Sequence, residues 1–364
     1  VTEADIDDKQ EDPSGLKEHM MSNPQIDHAQ LISWLSIDAT TGREGPFLSR
    51  VEEDFQREGM VTFRQRIEDG RWNLWATSPH HPSPEILFST HVDTVPPFFG
   101  PTADDTRVSA RGACDTKGGL YAMLRAWRAL TEIERRHVGF LAVVGEEVDH
   151  IGAIVAADDP RFHPRHIVLC EPTQGRQARA QKGIIKFVVH ASGREGHSAY
   201  AEAGVSAIDR LLDALGDLRA HAWPVDPVLG PTTFNIGLIR GGVAANIFAP
   251  DASAVILMRA TDDTDVLWSQ IVRALGARDH VRLERLCANE PVKLATIGNE
   301  ETCVVPFNTD APYLQRLAPV TLVGPGDIRC AHGPEEHIRW DDLEGGIERY
   351  TQLARELLAA ARVL

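Results

Sequence analysis

No stretch of the 364 residues approaches the ~20 consecutive apolar residues that would cross a bilayer, so a membrane-spanning role is not expected. Cysteine is scarce: five residues, an odd count, with no CxxC pair. That argues against a disulfide framework and for a reducing, cytoplasmic setting. Positive charge is short as well, 37 Lys and Arg against 53 Asp and Glu, for a formal net charge of -16. Phosphate backbones need clustered Lys and Arg, so nucleic acid is not an expected partner. Internal repeats and low-complexity tracts are missing too. Residues 1–25 are polar and acidic, lack the apolar core of a secretory signal, and are expected to form a disordered tail.

What is present is an ordinary globular composition, 43% apolar and 25% charged, on a chain long enough for two domains. Helical periodicity runs from about Ile26 to Gly59. Short apolar strands then alternate with helices: strands near 62–66, 72–76, 86–90, 140–144 and 167–170, helices near 116–130 and 151–157. This alternation predicts an α/β domain around a mostly parallel sheet. The style changes after about Gly175. Four β-runs (184–191, 233–239, 252–259, 281–286) and two helices (205–218, 266–275) predict an α+β, ferredoxin-like module. A strand at 319–323 and a helix at 343–361 resume the first style. The reading is therefore a catalytic domain of 26–176 and 291–364 interrupted by an inserted domain of 177–290.

Polar residues collect where strands end. His91 and Asp93 follow Ile86–Thr90, Glu146 and Glu147 follow Phe140–Gly145, and Glu171 follows Ile167–Cys170. In open α/β sheets the carboxyl ends of the strands form the ligand crevice. His91 and Asp93 share a face because strand side chains alternate, which lets Asp93 orient the imidazole. Asp115 lies in the glycine-rich turn Gly112–Gly119 ahead of a helix, where a carboxylate can bridge two cations or simply cap the helix. That turn is not a phosphate-binding loop, since an aspartate would face the phosphates. Two adjacent carboxylates such as Glu146-Glu147 repel each other and lose solvation when buried, unless cations are near; in an exposed loop they need none. His332, after Gly324-Pro-Gly-Asp327, is a candidate distant histidine.

Together these residues make two three-ligand sets, His91/Asp115/Glu171 and Asp115/Glu147/His332, with Glu146 left over as a base for water. Nitrogen and oxygen ligands without thiolate suit two Zn²⁺, with Co²⁺ or Mn²⁺ as substitutes.

The segments Ser89–Pro96, Arg111–Gly119, Gly145–Glu147, Cys170–Thr173, Gly193–Ser198 and Gly324–His332 resemble, in order and over nearly the whole chain, the dizinc amidohydrolase superfamily. Its members include acetylornithine deacetylase, succinyl-diaminopimelate desuccinylase, aminoacylase and carboxypeptidase G. The resemblance implies that His91 and Glu171 hold one zinc, Glu147 and His332 the other, and that Asp115 bridges beside a cis peptide. Glu146 would be the general base and proton donor. The insertion would be a lid and dimerisation domain, with His197 reaching a partner subunit's site to stabilise an oxyanion. Asn246 and Arg259 would hold a substrate carboxylate. Phe234–Gly237, Asn246–Pro250, Thr309–Pro312 and Gly324–Ile328 look most like the acetylornithine and acetylcitrulline deacetylases. The function expected is thus removal of an acyl group from a small N-acyl amino acid in arginine biosynthesis, by a homodimer. A dipeptidase or carboxypeptidase, or an acyl-lysine deacetylase or desuccinylase, on the same site is the alternative. A catalytically silent binding protein would require the loss of a ligand or of the base, and all are present.

Overall fold

In the computed structural model, residues 27–276 and 278–361 are described; the expected acidic tail lies outside them. The chain divides into two compact units, one formed up to Gly175 and from Val323 onward, the other by Arg176–Leu322. Residues 291–322 thus group with the insertion, whereas the sequence reading assigns them to the catalytic domain.

The first unit begins with two helices, α1 (His28–Leu35) and α2 (Gly45–Arg57), where sequence periodicity ran on without a break. Its sheet contains β1 (Val61–Glu68), β2 (Arg71–Thr77), β3 (Ile86–His91), β4 (Val138–Val143) and β5 (His166–Leu169). Their order is β1-β2-β4-β3-β5. The β4-β3-β5 centre is parallel, and the β1-β2 hairpin adds antiparallel strands to its β4 edge. Every residue of β3, β4 and β5 is buried, the reason these strands read as unbroken apolar runs rather than alternating ones. Helix α3 (Lys117–Ala129) covers the sheet with Leu120, Met123, Leu124 and Trp127, and α4 (Ile151–Ala157) follows β4. Phe140 of β4 packs against Phe55 of α2 with ring centres 4.7 Å apart.

The second unit holds β6 (Gly183–Ser192), α5 (Ala207–Ala220), β7 (Thr233–Gly241), β8 (Asp251–Ala260), α6 (Thr264–Leu275) and β9 (Val281–Asn289). The strands form an antiparallel sheet in the order β7-β8-β6-β9, the βαββαβ arrangement of a ferredoxin-like module. β6 and β8 alternate buried and more exposed residues. Ile185, Phe187, Val189, Ile256 and Met258 thereby share a core with Leu211 and Leu215 of α5 and Leu267 and Ile271 of α6. Ser206 caps α5 by accepting the Asp209 N–H, and Asp263 caps α6 by accepting those of Asp265 and Val266. Short strands at Ala178–Gln181, Val292–Lys293, Cys303–Val305 and Val320–Leu322 also belong to this unit.

The chain then returns to the first unit and ends in α7 (Trp340–Ala361), which packs on α3. Tyr350 of α7 donates to the Val323 carbonyl at 3.0 Å. The expected architecture, an α/β sheet with a parallel centre and a separate antiparallel module, is what the chain forms.

Candidate metal centre

Register brings the strand-end residues together. His91 pairs with Val143 across β3 and β4, and Ser89 with Leu169 across β3 and β5. His91, the Glu146-Glu147 turn and Glu171 therefore leave the sheet at the same edge. The turn folds around the Gly145 carbonyl, which accepts from the N–H groups of Val148, Asp149 and His150. Gly145 has φ +82°, and a Cβ there would come within 2.9 Å of Asp149 and Ile151, so this corner requires glycine.

Donor atoms of His91, Asp115 and Glu171 lie within 4.8 Å of one another, as do those of Asp115, Glu147 and His332. Asp115 belongs to both sets through different oxygens. Its Oδ1 is 2.9 Å from His91 Nε2 and its Oδ2 is 3.3 Å from His332 Nε2. His332 Nε2 is also 3.0 Å from Glu147 Oε1, and Glu171 Oε1 is 3.9 Å from His91 Nε2. The Asp115–Thr116 peptide is cis. Thr116 ties the turn back to β3: its hydroxyl donates to the His91 carbonyl at 2.7 Å and accepts from Thr90 Oγ1 at 2.7 Å.

Burial opposes the charging of His91. Hydrogen bonds to Asp115 and Asp93, with nearby carboxylate charge, outweigh it and hold the pKa of His91 well above the imidazole norm. For His332, hydrogen bonds to Asp115 and Glu147 push the pKa up to about 10. Burial opposes ionisation of Asp115 too, yet its contacts with His332 and His91 keep its carboxyl well below the usual range. Glu147 is shifted upward, first by desolvation and then by the charge of Asp115. Four carboxylates, Asp93, Asp115, Glu146 and Glu147, raise the basicity of the two imidazoles and form a field suited to cations. The donor set, two imidazole nitrogens and carboxylate oxygens without thiolate, fits two divalent ions such as zinc.

Asp93 faces His91 with two groups and also holds the neighbouring turn. The Nδ1 of His91 meets the backbone carbonyl of Asp93 at 3.0 Å, with the carboxylate farther off at 3.6 Å. That carboxylate also accepts the N–H groups of Glu146 at 3.1 Å and Glu147 at 3.3 Å, and the Thr41 hydroxyl at 2.8 Å. Asp93 thus orients His91 mainly through its main chain and the Glu-Glu turn through its side chain. Glu146 lies in the same turn, with His150 Nδ1 3.8 Å from its Oε1.

Sequence reasoning missed Glu336. This residue is fully buried and accepts backbone N–H groups from Gly112, Cys114 and Asp115. Burial and the charge of Asp115 raise its pKa, against the N–H of Asp115 and the guanidinium of Arg111. In sequence it is one of an acidic pair, Glu335-Glu336, and nothing in the pattern separates the exposed member from the buried one.

The other three predicted residues belong to the second unit. His197 is exposed, and its Nδ1 accepts the N–H of Ala199 at 3.1 Å. In the neutral ring that leaves Nε2–H as a donor. Asn246 is beside it, with its carbonyl accepting the Ser198 N–H at 3.0 Å. Arg259 is elsewhere, near the far end of β8, where it pairs with Ile184 and Thr233. Asn246 precedes the start of β8, so the strand separates the two residues by on the order of 30 Å. One small carboxylate cannot touch both within a single copy of this unit.

The description "Peptidase family M20/M25/M40" matches residues 87–356. A Peptidase M20 domain-containing protein of Schizosaccharomyces pombe is 31% identical over 329 residues, spanning 88% of this chain and 82% of that protein. A protein of Aspergillus terreus named "probable carboxypeptidase" is 33% identical over 370 residues, spanning 90% and 84%. Among solved structures, aminopeptidase PepT from Bacillus cereus aligns with a TM-score of 0.72 at 22% identity, covering 92% of this chain and all of that one. An M20 family metallo-carboxypeptidase, Sso-CP2 from Sulfolobus solfataricus, aligns at 0.70 and 16% identity, covering 91% and 99%. These structural likenesses speak for the fold. The names correct the narrower sequence expectation: these relatives are called peptidases and carboxypeptidases, not acetylornithine deacetylases, and nothing among them supports a place in arginine biosynthesis.

Proposed function

Because the chain belongs to peptidase family M20/M25/M40, we propose that this metallo-hydrolase is a carboxypeptidase-type enzyme that cleaves the amide bond next to a free carboxylate in small peptides. The observation that carries the metal chemistry is Asp115, whose two oxygens each face a separate histidine within a cluster that also presents Glu147 and Glu171; the choice of a carboxypeptidase is supported by the names of the relatives. His91 and Glu171 would hold one divalent ion, Glu147 and His332 a second, with Asp115 shared; zinc is proposed for both. Bound there, the ions would polarise the scissile carbonyl and acidify a water.

The protein's own groups supply the rest. Glu146 takes the proton of the attacking water and returns it to the departing amine, so the C–N bond breaks as the new C–O bond is kept. Asp93 fixes the backbone from which Glu146 projects. His197, with Nε2–H available, donates to the oxyanion. An Arg259 guanidinium is suited to grip the terminal carboxylate. A homodimer is proposed as well, resting on the resemblance of the inserted domain and of the Gly193–Ser198 segment.

N-acyl amino acids are a second substrate class on this reading. They too carry an amide beside a free carboxylate, and the segments Phe234–Gly237 and Asn246–Pro250 support them. The test is hydrolysis of N-blocked dipeptides, free dipeptides and tripeptides, and N-acetyl-L-ornithine, N-acetyl-L-citrulline and N-acetyl-L-lysine by the zinc- or cobalt-loaded protein. Release of the C-terminal residue from N-blocked dipeptides is expected. Cleavage of the N-acetyl amino acids alone would replace the carboxypeptidase reading by deacylation, and no cleavage of any with metal bound would end both.

A further inference from the structure

The fully buried carboxylate of Glu336 sits where two ligand-bearing loops meet. Its Oε1 accepts three backbone N–H groups of one turn: Gly112 at 2.9 Å, Cys114 at 3.2 Å and Asp115 at 3.1 Å. Its Oε2 takes Nη1 of Arg111 at 2.6 Å. The backbone carbonyl of Glu336 accepts the Ala110 N–H at 3.1 Å. Arg111 is equally buried. Its Nε reaches the Pro97 carbonyl at 3.3 Å, and its guanidinium lies 5.1 Å from the centre of the Phe99 ring. The stretch from Ala110 to Asp115 is thus wrapped around one side chain.

A hydrophobic residue could fill this space, and replacing a buried ion pair by apolar groups is often neutral or stabilising. An apolar group could not, however, accept three N–H groups converging from a turn that makes no regular ladder, and each would pay for its lost hydration. Those bonds end at the backbone N–H of Asp115, the residue shared by both ligand sets. Four positions before Glu336 comes His332, the last ligand of the second set. One residue therefore references the Asp115 turn to the chain segment that delivers His332.

We propose that Glu336, backed by Arg111, is a positioning residue of the metal centre: it fixes the backbone from which Asp115 presents one oxygen to each ligand set, and so sets the affinity for both ions at once without contacting either. This rests on the metal-centre reading given above.

The test is metal affinity, not turnover. Glu336→Gln keeps an oxygen for the three N–H groups but removes the charge facing Arg111. Zinc affinity by chelator competition, the visible absorption of the Co²⁺ form and the melting temperature of the metal-free protein are measured beside wild type, with Asp115→Asn as control. Loss of support for a ligand typically costs 10–100-fold in metal affinity. That loss is expected for both ions, with an altered Co²⁺ spectrum and a metal-free melting temperature close to wild type. Affinity for both ions within threefold of wild type would overturn the proposal, as would a loss confined to one ion. A melting temperature that collapses in the metal-free form with unchanged affinity would make Glu336 a plain folding residue. Should E336Q not fold, Glu336→Asp carries the same test, since it keeps the charge facing Arg111 but shortens the reach of the carboxylate to the three N–H groups. If Asp115→Asn also binds metal normally, the metal-centre reading fails. If only Asp115→Asn loses metal, this inference alone fails.

Discussion

Glu146 and Glu147 leave the same turn and are held by the same Asp93 carboxylate, but only Glu147 belongs to a set that shares Asp115. Glu146→Gln should therefore keep both ions and lose turnover by ~10²–10⁴-fold, the range for a general base; metal analysis alongside steady-state rates checks this, and substantial residual activity would remove the base assignment. His332→Ala removes one donor of the second set only, so zinc content should fall towards one ion per chain, read by elemental analysis. How much of this was legible follows from where each residue lies. His91, Glu147 and Glu171 stand out in the sequence because they terminate apolar runs. Asp115 stands out because glycines surround it. Glu336 and the carbonyl of Asp93 carry no such mark, since their roles come from burial and backbone direction, which a linear pattern does not record.

At the scale of elements, the site depends on how closely α3 approaches β5. A Cβ on Gly119 would lie 2.1 Å from Cys170 Sγ but 3.5 Å from Cys170 Cβ. Gly119→Ala should cost roughly 1–3 kcal/mol through overpacking, and most of that should return in Gly119→Ala with Cys170→Ala; denaturant titration of the four variants gives the cycle. The opposite end of β5 carries His166, whose pKa burial lowers from 6.5 to about 4. The folded state thus binds fewer protons than the unfolded chain over this range. Stability from the neutral imidazole is intact above pH 6.5 and is lost as pH falls towards 4, by up to roughly 3 kcal/mol. Wild type should destabilise more steeply over that window than His166→Phe, as followed by melting temperature against pH. Periodicity located the long elements to within a few residues. Strands as brief as Thr102–Ala103 and Ala178–Gln181 are too short to show a period, and they went unread.

For the whole molecule, the two-unit division follows from a change of pattern after Gly175, visible in sequence as β-runs replacing the strand–helix alternation. The return point was less legible, because the short strands of 291–322 carry neither pattern strongly. If a partner supplies His197 and Asn246, light scattering should report a dimer. A variant held monomeric should then keep its metals and lose turnover.

The ligands are also ordered in time. His91, Asp115 and Glu171 precede the insertion, whereas His332 follows it. On a ribosome the first ligand set is encoded before the insertion has been translated, and the second must wait for the segment that follows it. Zinc acquired during synthesis would meet a one-ion site first. The carboxylate of Asp115 would serve a single ion until the segment carrying His332 arrives, and full occupancy would mark a chain translated past the insertion.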